Sequence, residues 1–186
     1  MTSKLGNLLT EQRNPESMKL DSSSIREILE IINRQDHIIA GQVAEQMDDI
    51  TQATELVDHA FQNDGRLIYV GAGTSGRLGV LDASEIPPTF NASPERVQGF
   101  IAGGDTALRT AVEGAEDFPE DGRKLIDDLE VSKNDVVMGI ATSGVTPYVL
   151  GALERGRELG AATVFFTCAD RNHIDIDVDV LISVPV

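Results

Sequence analysis

Two loops of this chain combine glycine with hydroxyl side chains, a combination suited to binding a phosphate group. The first, residues 71–76, follows a short apolar run and reads Gly-Ala-Gly-Thr-Ser-Gly. The second, residues 142–146, follows another apolar run and reads Thr-Ser-Gly-Val-Thr, with Pro147 as the first residue of a predicted helix. Backbone N–H groups and the dipole at a helix N-terminus attract anions. Together the loops predict one phosphate site, and its candidate binding residues are Gly73, Thr74, Ser75, Thr142, Ser143, Gly144 and Thr146.

Other interpretations of these loops are weaker. The first loop satisfies Gly-x-Gly-x-x-Gly, the dinucleotide fingerprint, but that fingerprint needs an acidic residue about 20 residues on, at the end of the next strand. Here that strand ends at residues 101–104 and Asp105 comes late, so NAD is the less favoured ligand. The hydroxyls could also be ordinary helix caps, where Ser and Thr are common. A hydrolase nucleophile elbow is excluded, because Arg77 replaces the last glycine of Gly-x-Ser-x-Gly.

Short apolar runs alternate with helical segments around both loops. The runs are 67–70, 97–102, 135–141, 163–167 and 180–184, and the predicted helices between them are 75–84, 106–115 and 147–159. Apolar strands separated by helices predict an α/β fold with a doubly wound, five-stranded parallel sheet of flavodoxin-like layout. Both loops would then lie at the carboxyl ends of strands, where such sheets bind ligands.

An arm and helices precede the predicted sheet. Residues 1–20 are a polar arm, Ser24 begins a helix with capping-box spacing, and a longer helix is predicted over 36–62. We therefore expect an N-terminal part at 1–62 and a phosphate-binding domain at 63–186. The sequence ends directly after its fifth strand, with no helix to cover that edge, so we also expect a further segment in the complete protein.

The composition narrows the possible partners. Acidic residues outnumber basic ones 31 to 15, for a formal charge of −16, which opposes binding to nucleic acid or to an anionic membrane. No targeting or membrane-length apolar run is present, which favours the cytoplasm. The single cysteine, Cys168, is predicted to be structural and buried. The three histidines lack metal-ligand spacing, so we expect no metal and no other cofactor.

The motifs carry a family resemblance. The two loops resemble those of the SIS (sugar isomerase) domain, which binds phosphosugars. Residues 71–90, GAGTSGRLGVLDASEIPPTF, resemble the signature of the N-acetylmuramic acid 6-phosphate etherases, whose members are longer than this chain. Residues 10–15, 101–104, 112–117 and 146–149 are similar to the same family. Two positions depart from it: Val145 stands where the family has arginine, and residues 169–172 replace an Asn-Pro-Gly-Ser-like turn.

The resemblance implies a homodimeric carbon–oxygen lyase. Such an etherase cleaves the D-lactyl ether of N-acetylmuramic acid 6-phosphate by elimination and hydration, giving N-acetylglucosamine 6-phosphate and D-lactate in peptidoglycan recycling and amino sugar metabolism. The reaction needs two proton-transfer groups. By resemblance these are Glu116, the base at carbon 2, and Glu85, the acid at the lactate oxygen. Glu85 precedes Pro87-Pro88, which should end its helix, and a carboxylate there is not stabilised by the helix dipole.

Two questions stay open at the level of sequence. The alternative function is a non-catalytic sugar-phosphate-sensing regulatory protein of the glucokinase regulatory protein type, which resembles the same family; the presence of both glutamates favours the enzyme. The partner of the lactyl carboxylate is also open. Arg77 and Arg109 are its candidates, and an exposed structural role is an equal alternative for both.

Overall fold

The computed structural model describes Thr10 and residues 12–186; residues 1–9 and Glu11, part of the predicted polar arm, lie outside the described residues. The five strands are β1 (Leu67–Gly71), β2 (Val97–Ile101), β3 (Val136–Ile140), β4 (Ala162–Thr167) and β5 (Val180–Ser183). The six helices are α1 (Ile25–Ala44), α2 (Met47–Gln62), α3 (Gly73–Phe90), α4 (Gly104–Arg109), α5 (Pro119–Asp128) and α6 (Pro147–Glu158). Short 3-10 turns occur at 15–17, 20–22 and 171–173.

All five strands are parallel, in the order β2-β1-β3-β4-β5. This confirms the predicted doubly wound sheet and its flavodoxin-like order. The chain moves outward from β1 to β2 and then returns across β1 to β3, so the strand order reverses between β1 and β3. Their carboxyl ends lie side by side, with Gly71 opposite Ile140. This switch point is where open α/β sheets bind their ligands.

Apolar side chains are buried on both faces of the sheet. On one face, Val70 and Val137 pack with Ile126 of α5 and Leu153 of α6. On the other, the alternate strand residues pack with alanines of α2 and α3. The strands are nearly continuous in apolar residues because both faces are covered, which is why periodicity located them within one or two residues.

The N-terminal helical region differs from the prediction. The capping box at Ser24 is present, with Glu27 bonded to its backbone N–H at 2.7 Å. However, the single helix predicted over 36–62 is wrong: the chain is helical from residue 25 to 44, turns at Glu45 and Gln46, and restarts at Met47. The turn lets α2 lie on the sheet, where Ala53 and Ala60 are buried. All of residues 25–44 are described, and none of them is buried.

Two further predictions about helices need correction. The helix that contains Glu85 does not stop at Pro87-Pro88 but continues to Phe90, where Asn91 ends it in the left-handed region at φ 55°. Proline keeps a helical φ, so the chain can stay helical through both residues, although the two hydrogen bonds that their N–H groups would donate are lost. The segment predicted as one helix over 106–115 is helical only through Arg109 and continues as turns. The segment that follows these turns, Pro119–Asp128, forms α5. Its apolar residues are few, so the periodicity of the sequence did not reveal this helix.

Candidate phosphosugar site at the switch point

The two predicted loops meet at the sheet edge. The first leads from β1 into α3 and the second from β3 into α6, so adjacent strands deliver them to the same place. The hydroxyl oxygens of Ser75 and Thr142 lie 3.5 Å apart across the two loops. The two loops therefore meet at the sheet edge, as expected when neighbouring parallel strands bring their following loops together.

Glycines shape both loops. A Cβ on Gly71 would lie 2.6 Å from the backbone nitrogen of Gly76, so the turn from strand to helix closes only with glycine at that point. Gly144 has φ +76°, a left-handed conformation, and a Cβ there would lie 2.3 Å from the Ile174 side chain. Both glycines are required by the conformation of the backbone, and the hydroxyl groups at the site come from neighbouring residues.

The hydroxyls are not occupied as helix caps. The N-cap of α3 is Ala72, and Thr146, the N-cap of α6, accepts no side-chain cap hydrogen bond from a described residue. Ser143 Oγ accepts only a long contact of 3.5 Å from the N–H of Val145. Because caps normally accept a bond from an N–H of the first turn, the capping alternative is not what this geometry shows. The described hydroxyls are available to a ligand.

A cavity of about 310 Å³ lies between the loops. Its described lining includes four loop hydroxyls (Ser75, Thr142, Ser143 and Thr146), the carboxylate residue Glu116 and, from the arm, Thr10. Of these, Thr10 was not predicted as a site residue, although residues 10–15 carry part of the family resemblance. Gly73 lines an adjoining cavity of about 170 Å³. The site thus combines hydrogen-bond donors at two helix N-termini with one carboxylate residue, Glu116.

Glu116 is held by its backbone at the boundary between the two cavities. Its carbonyl accepts a 3.0 Å hydrogen bond from the N–H of Tyr148, near the start of α6. Glu116 lines both cavities, and Glu113 lines the smaller one. The side chain of Glu116 is exposed to solvent. Glu116 therefore borders the space between the hydroxyl loops, where a proton-transfer group would need to lie.

The structure separates the second predicted catalytic residue from this site. Glu85 is exposed on α3, and it is not among the described residues that line either cavity. Glu85 lies ten residues after Ser75 along the helix, a rise of about 15 Å. Within one chain the site therefore contains Glu116 without Glu85.

The two candidate arginines have different surroundings. The guanidinium of Arg77 donates to the carbonyls of Ala107 (2.6 Å) and Leu108 (3.1 Å), which fixes α4 against α3. Arg77 also lines the smaller cavity, beside Glu113. Arg109 is exposed and is not among the described lining residues of either cavity. Of the two, only Arg77 lies at the site, and two of its five N–H donors, one on Nε and one on Nη2, are already used.

The described residues offer neither a reactive thiol nor a cluster of metal ligands at this site. Cys168 follows β4 and is half-buried, and burial raises the pKa of its thiol, which disfavours the nucleophilic thiolate. In the part of the chain that the structure describes, no three histidine, cysteine or carboxylate side chains are grouped as a metal site would require. Across Thr10 and residues 12–186, the helices are too short or too polar to cross a membrane.

Comparison with known proteins agrees with this geometry. Residues 42–157 match the family described as the glucokinase regulatory protein N-terminal SIS domain. The phosphoheptose isomerase GmhA from Neisseria gonorrhoeae superimposes with a TM-score of 0.66 at 22% identity, covering 88% of this chain and 87% of that one. A phosphoheptose isomerase from Francisella tularensis gives 0.61 at 24% identity, over 85% and 86%. The fold and the site define an SIS domain, and the chain belongs to that family.

Sequence relatives make the resemblance more specific. The N-acetylmuramic acid 6-phosphate etherase of Salinibacter ruber is 52% identical over 179 residues, which are 96% of this chain and 58% of the relative. That of Glaesserella parasuis is also 52% identical over 179 residues, 96% of this chain and 59% of the relative. The predicted resemblance to the etherases is thereby confirmed. The chain spans a little over half the length of these relatives.

Proposed function

We propose that this chain is the phosphosugar-binding and proton-transfer part of an N-acetylmuramic acid 6-phosphate etherase, acting in the cytoplasm in cell-wall sugar recycling. The observation that carries the proposal is the placement of Glu116 on the same cavity as the four loop hydroxyls. A phosphate on the hydroxyls would put the rest of the sugar next to that carboxylate. The identity to etherases over most of the chain supports the same reaction.

The reaction divides into elimination and hydration. In the open-chain sugar the aldehyde acidifies the hydrogen on carbon 2, and Glu116 accepts that proton. The electrons form the carbon 2–carbon 3 double bond as the bond from carbon 3 to the lactyl oxygen breaks, and Glu85 protonates the departing oxygen. Water then adds its hydroxyl to carbon 3 and a proton to carbon 2, giving N-acetylglucosamine 6-phosphate and D-lactate. General acids and bases of this kind contribute about 10²–10⁴-fold each.

We infer that Glu85 reaches the reaction from a second copy of the chain. Leu78, Leu81 and Glu85 lie at helical spacing on the outer face of α3, and the two leucines are 57% and 58% exposed. Helix α1 adds further exposed apolar residues, including Ile25 at 79%. Such surface is typical of an interface. A homodimer that covers it could bring the partner's α3, with Glu85, to the cavity that holds Glu116.

Mixing two inactive variants tests this arrangement. The assay measures D-lactate release by this chain joined to the C-terminal part of the Salinibacter ruber relative that it does not span. Glu85→Gln and Glu116→Gln should each lose about 10²–10⁴-fold. If each site takes one glutamate from each subunit, unfolding and refolding an equal mixture creates dimers with one intact site. Random pairing puts half the dimers in that state, so the mixture should regain about a quarter of the unaltered activity, far above either variant alone.

The outcomes separate the parts of the proposal. No recovery on mixing would show that both glutamates act within one chain. In deuterated water, Glu85→Gln should still exchange the hydrogen on carbon 2, whereas Glu116→Gln should not; the reverse pattern would exchange their roles. Full lactate release by both variants would refute catalysis by either residue. Phosphosugar binding without lactate release by the unaltered protein would favour the sensor function, which the family description also suggests.

A further inference from the structure

The hydroxyl of Thr10 has an unusual environment. Its Oγ1 is enclosed, and it makes no hydrogen bond within the described part of the chain. It is the one side-chain polar atom in that state across Thr10 and residues 12–186. Leaving a buried hydroxyl unbonded is unfavourable, and such a group in a native structure calls for an explanation, such as a bound water or ion or a functional role.

Thr10 also lines the cavity between the two loops, with Ser75, Thr142, Ser143 and Thr146. It therefore adds a fifth threonine or serine to a wall already rich in hydroxyls. Since Oγ1 is enclosed, other atoms of Thr10 face the cavity. Rotation about the Cα–Cβ bond exchanges the hydroxyl with the methyl group, and it breaks no bond to a described residue because Oγ1 makes none.

The described part of the arm is fixed beside this position. The side-chain amide of Asn14 donates to Gln35 of α1 at 2.8 Å, and Arg34 of α1 lies 3.1 Å from the Glu16 carboxylate. The side chain of Asn14 also accepts from the N–H of Glu16, which forms the turn at 15–17. These contacts hold residues 14–16 against α1, four positions after Thr10.

We propose that Thr10 is a substrate-binding residue whose hydroxyl donates to the phosphate group held by the two loops. This inference rests on the proposed phosphosugar site and adds to it a donor from the N-terminal arm. A phosphate offers three strong acceptor oxygens, more than one loop can satisfy. Its binding would give the Thr10 hydroxyl the partner that it lacks.

Replacing Thr10 tests the role of its hydroxyl. Thr10→Val keeps the shape and removes the hydroxyl, whereas Thr10→Ser keeps a hydroxyl. Calorimetric titration of the 186-residue chain with inorganic phosphate and with glucosamine 6-phosphate measures both affinities. A hydrogen bond to a charged group corresponds to a loss of roughly tenfold or more, so Thr10→Val should weaken both ligands by at least that factor. Thr10→Ser should stay within about threefold of the unaltered chain.

Although Thr10→Val should weaken ligand binding, it should not destabilise the ligand-free protein. Because Thr10→Val replaces an unbonded enclosed hydroxyl with a methyl group, its melting temperature without ligand should be unchanged or higher. Thr54→Val is the matched control, since Thr54 is exposed on α2 and bonds only within that helix. It should leave both affinities unchanged.

The possible results distinguish this inference from the function on which it rests. If Thr10→Val binds phosphate as tightly as the unaltered chain while Ser143→Ala binds it more weakly, the site stands and the role of Thr10 is refuted. If Thr10→Ser loses as much as Thr10→Val, the shape of the side chain matters and its hydroxyl does not, which also refutes the role. If the unaltered chain binds neither inorganic phosphate nor glucosamine 6-phosphate, the proposed phosphosugar site is refuted, and the proposed role of Thr10 is refuted with it.

Discussion

Replacing Asp135 with asparagine should destabilise the fold without affecting ligand binding. Asp135 is 3% exposed at the amino end of β3. Its Oδ1 accepts from the backbone N–H and the Nε of Arg66 (2.9 and 3.0 Å), and its Oδ2 accepts from Arg66 Nη2 (2.9 Å) and the N–H of Ser132 (2.8 Å). Asparagine keeps one oxygen, and its amide group would face donors rather than acceptors.

The size of the effect follows from the burial of this pair. Removing one partner of a buried ion pair typically costs about 3–5 kcal/mol. The Arg66 side chain is 25% exposed and can recover some hydration, so we expect the lower end, about 3 kcal/mol. For a chain of this size that corresponds to a fall in melting temperature of roughly 6–12 °C.

Urea unfolding measures the change directly. Glu30→Gln is the control, because its one ion pair among the described residues, with Arg26, joins two exposed side chains and should contribute less than about 1 kcal/mol. Phosphate affinity should be equal in all three proteins, since Asp135 lies at the opposite end of β3 from the cavity. If Asp135→Asn lowers the free energy of unfolding by less than about 1 kcal/mol, the reasoning is refuted, because the loss of an exposed ion pair costs as much.

The pH dependence provides an independent test. Burial by itself would raise the pKa of Asp135, but the hydrogen bonds from Arg66 and from the Ser132 backbone outweigh it and hold the pKa below its ordinary value. A lowered pKa in the folded state gives stability that is present above the unfolded value, about 3.9 for aspartate. That stability is lost as the pH falls through the folded value. The difference between the two proteins should therefore be constant above about pH 5 and shrink below about pH 4.

Three further predictions concern the site and the packing. A phosphosugar at a hundredfold excess over its dissociation constant should stabilise the chain by about 2.7 kcal/mol, and Ser143→Ala should reduce the shift in melting temperature; stabilisation by NAD instead would restore the dinucleotide interpretation. Raising KCl from about 10 to 150 mM, which shortens the screening length from about 30 to 8 Å, should leave phosphate affinity unchanged or tighten it, and a tenfold loss would indicate a cationic site. Gly151→Ala should destabilise the fold by about 1–3 kcal/mol, because its Cβ would lie 2.1 Å from the Pro119 carbonyl oxygen. Gly41→Ala, on open helix surface, should not destabilise it. Equal urea midpoints for the two variants would contradict this prediction.

The sequence predicted the sheet and the loops because their signals are local and strong. The strands are buried on both faces, so their apolar runs are nearly continuous. Each glycine loop follows a strand directly, and parallel pairing then places the two loops together. Fold class, strand order and the meeting of the loops were therefore accessible from residue type and spacing.

What the sequence did not predict depends on long-range packing. Helix α5 has few apolar residues, and it packs closely on α6 through Gly122, whose Cβ would meet the Tyr148 carbonyl oxygen at 1.9 Å. The turn at Glu45 and Gln46 exists because α2 packs on the sheet, which a helical periodicity cannot reveal. The position of Glu85, far from the cavity of its own chain, is likewise set by how the long helix α3 leaves the loop.

The means by which an acidic chain would bind a phosphate also affects Glu116, the proposed base. The net charge is −16, and no lysine or arginine is among the described residues that line the larger cavity. Hydroxyls and helix N-termini act at hydrogen-bond distance, whereas exposed charges beyond about 8 Å are largely screened at physiological salt, so the local donors decide the binding. A lysine in their place would stabilise the charged form of any nearby carboxylate and so weaken that carboxylate as a base. Neutral donors would hold the phosphate without that consequence, so one cavity could contain both the proposed anion site and the proposed base.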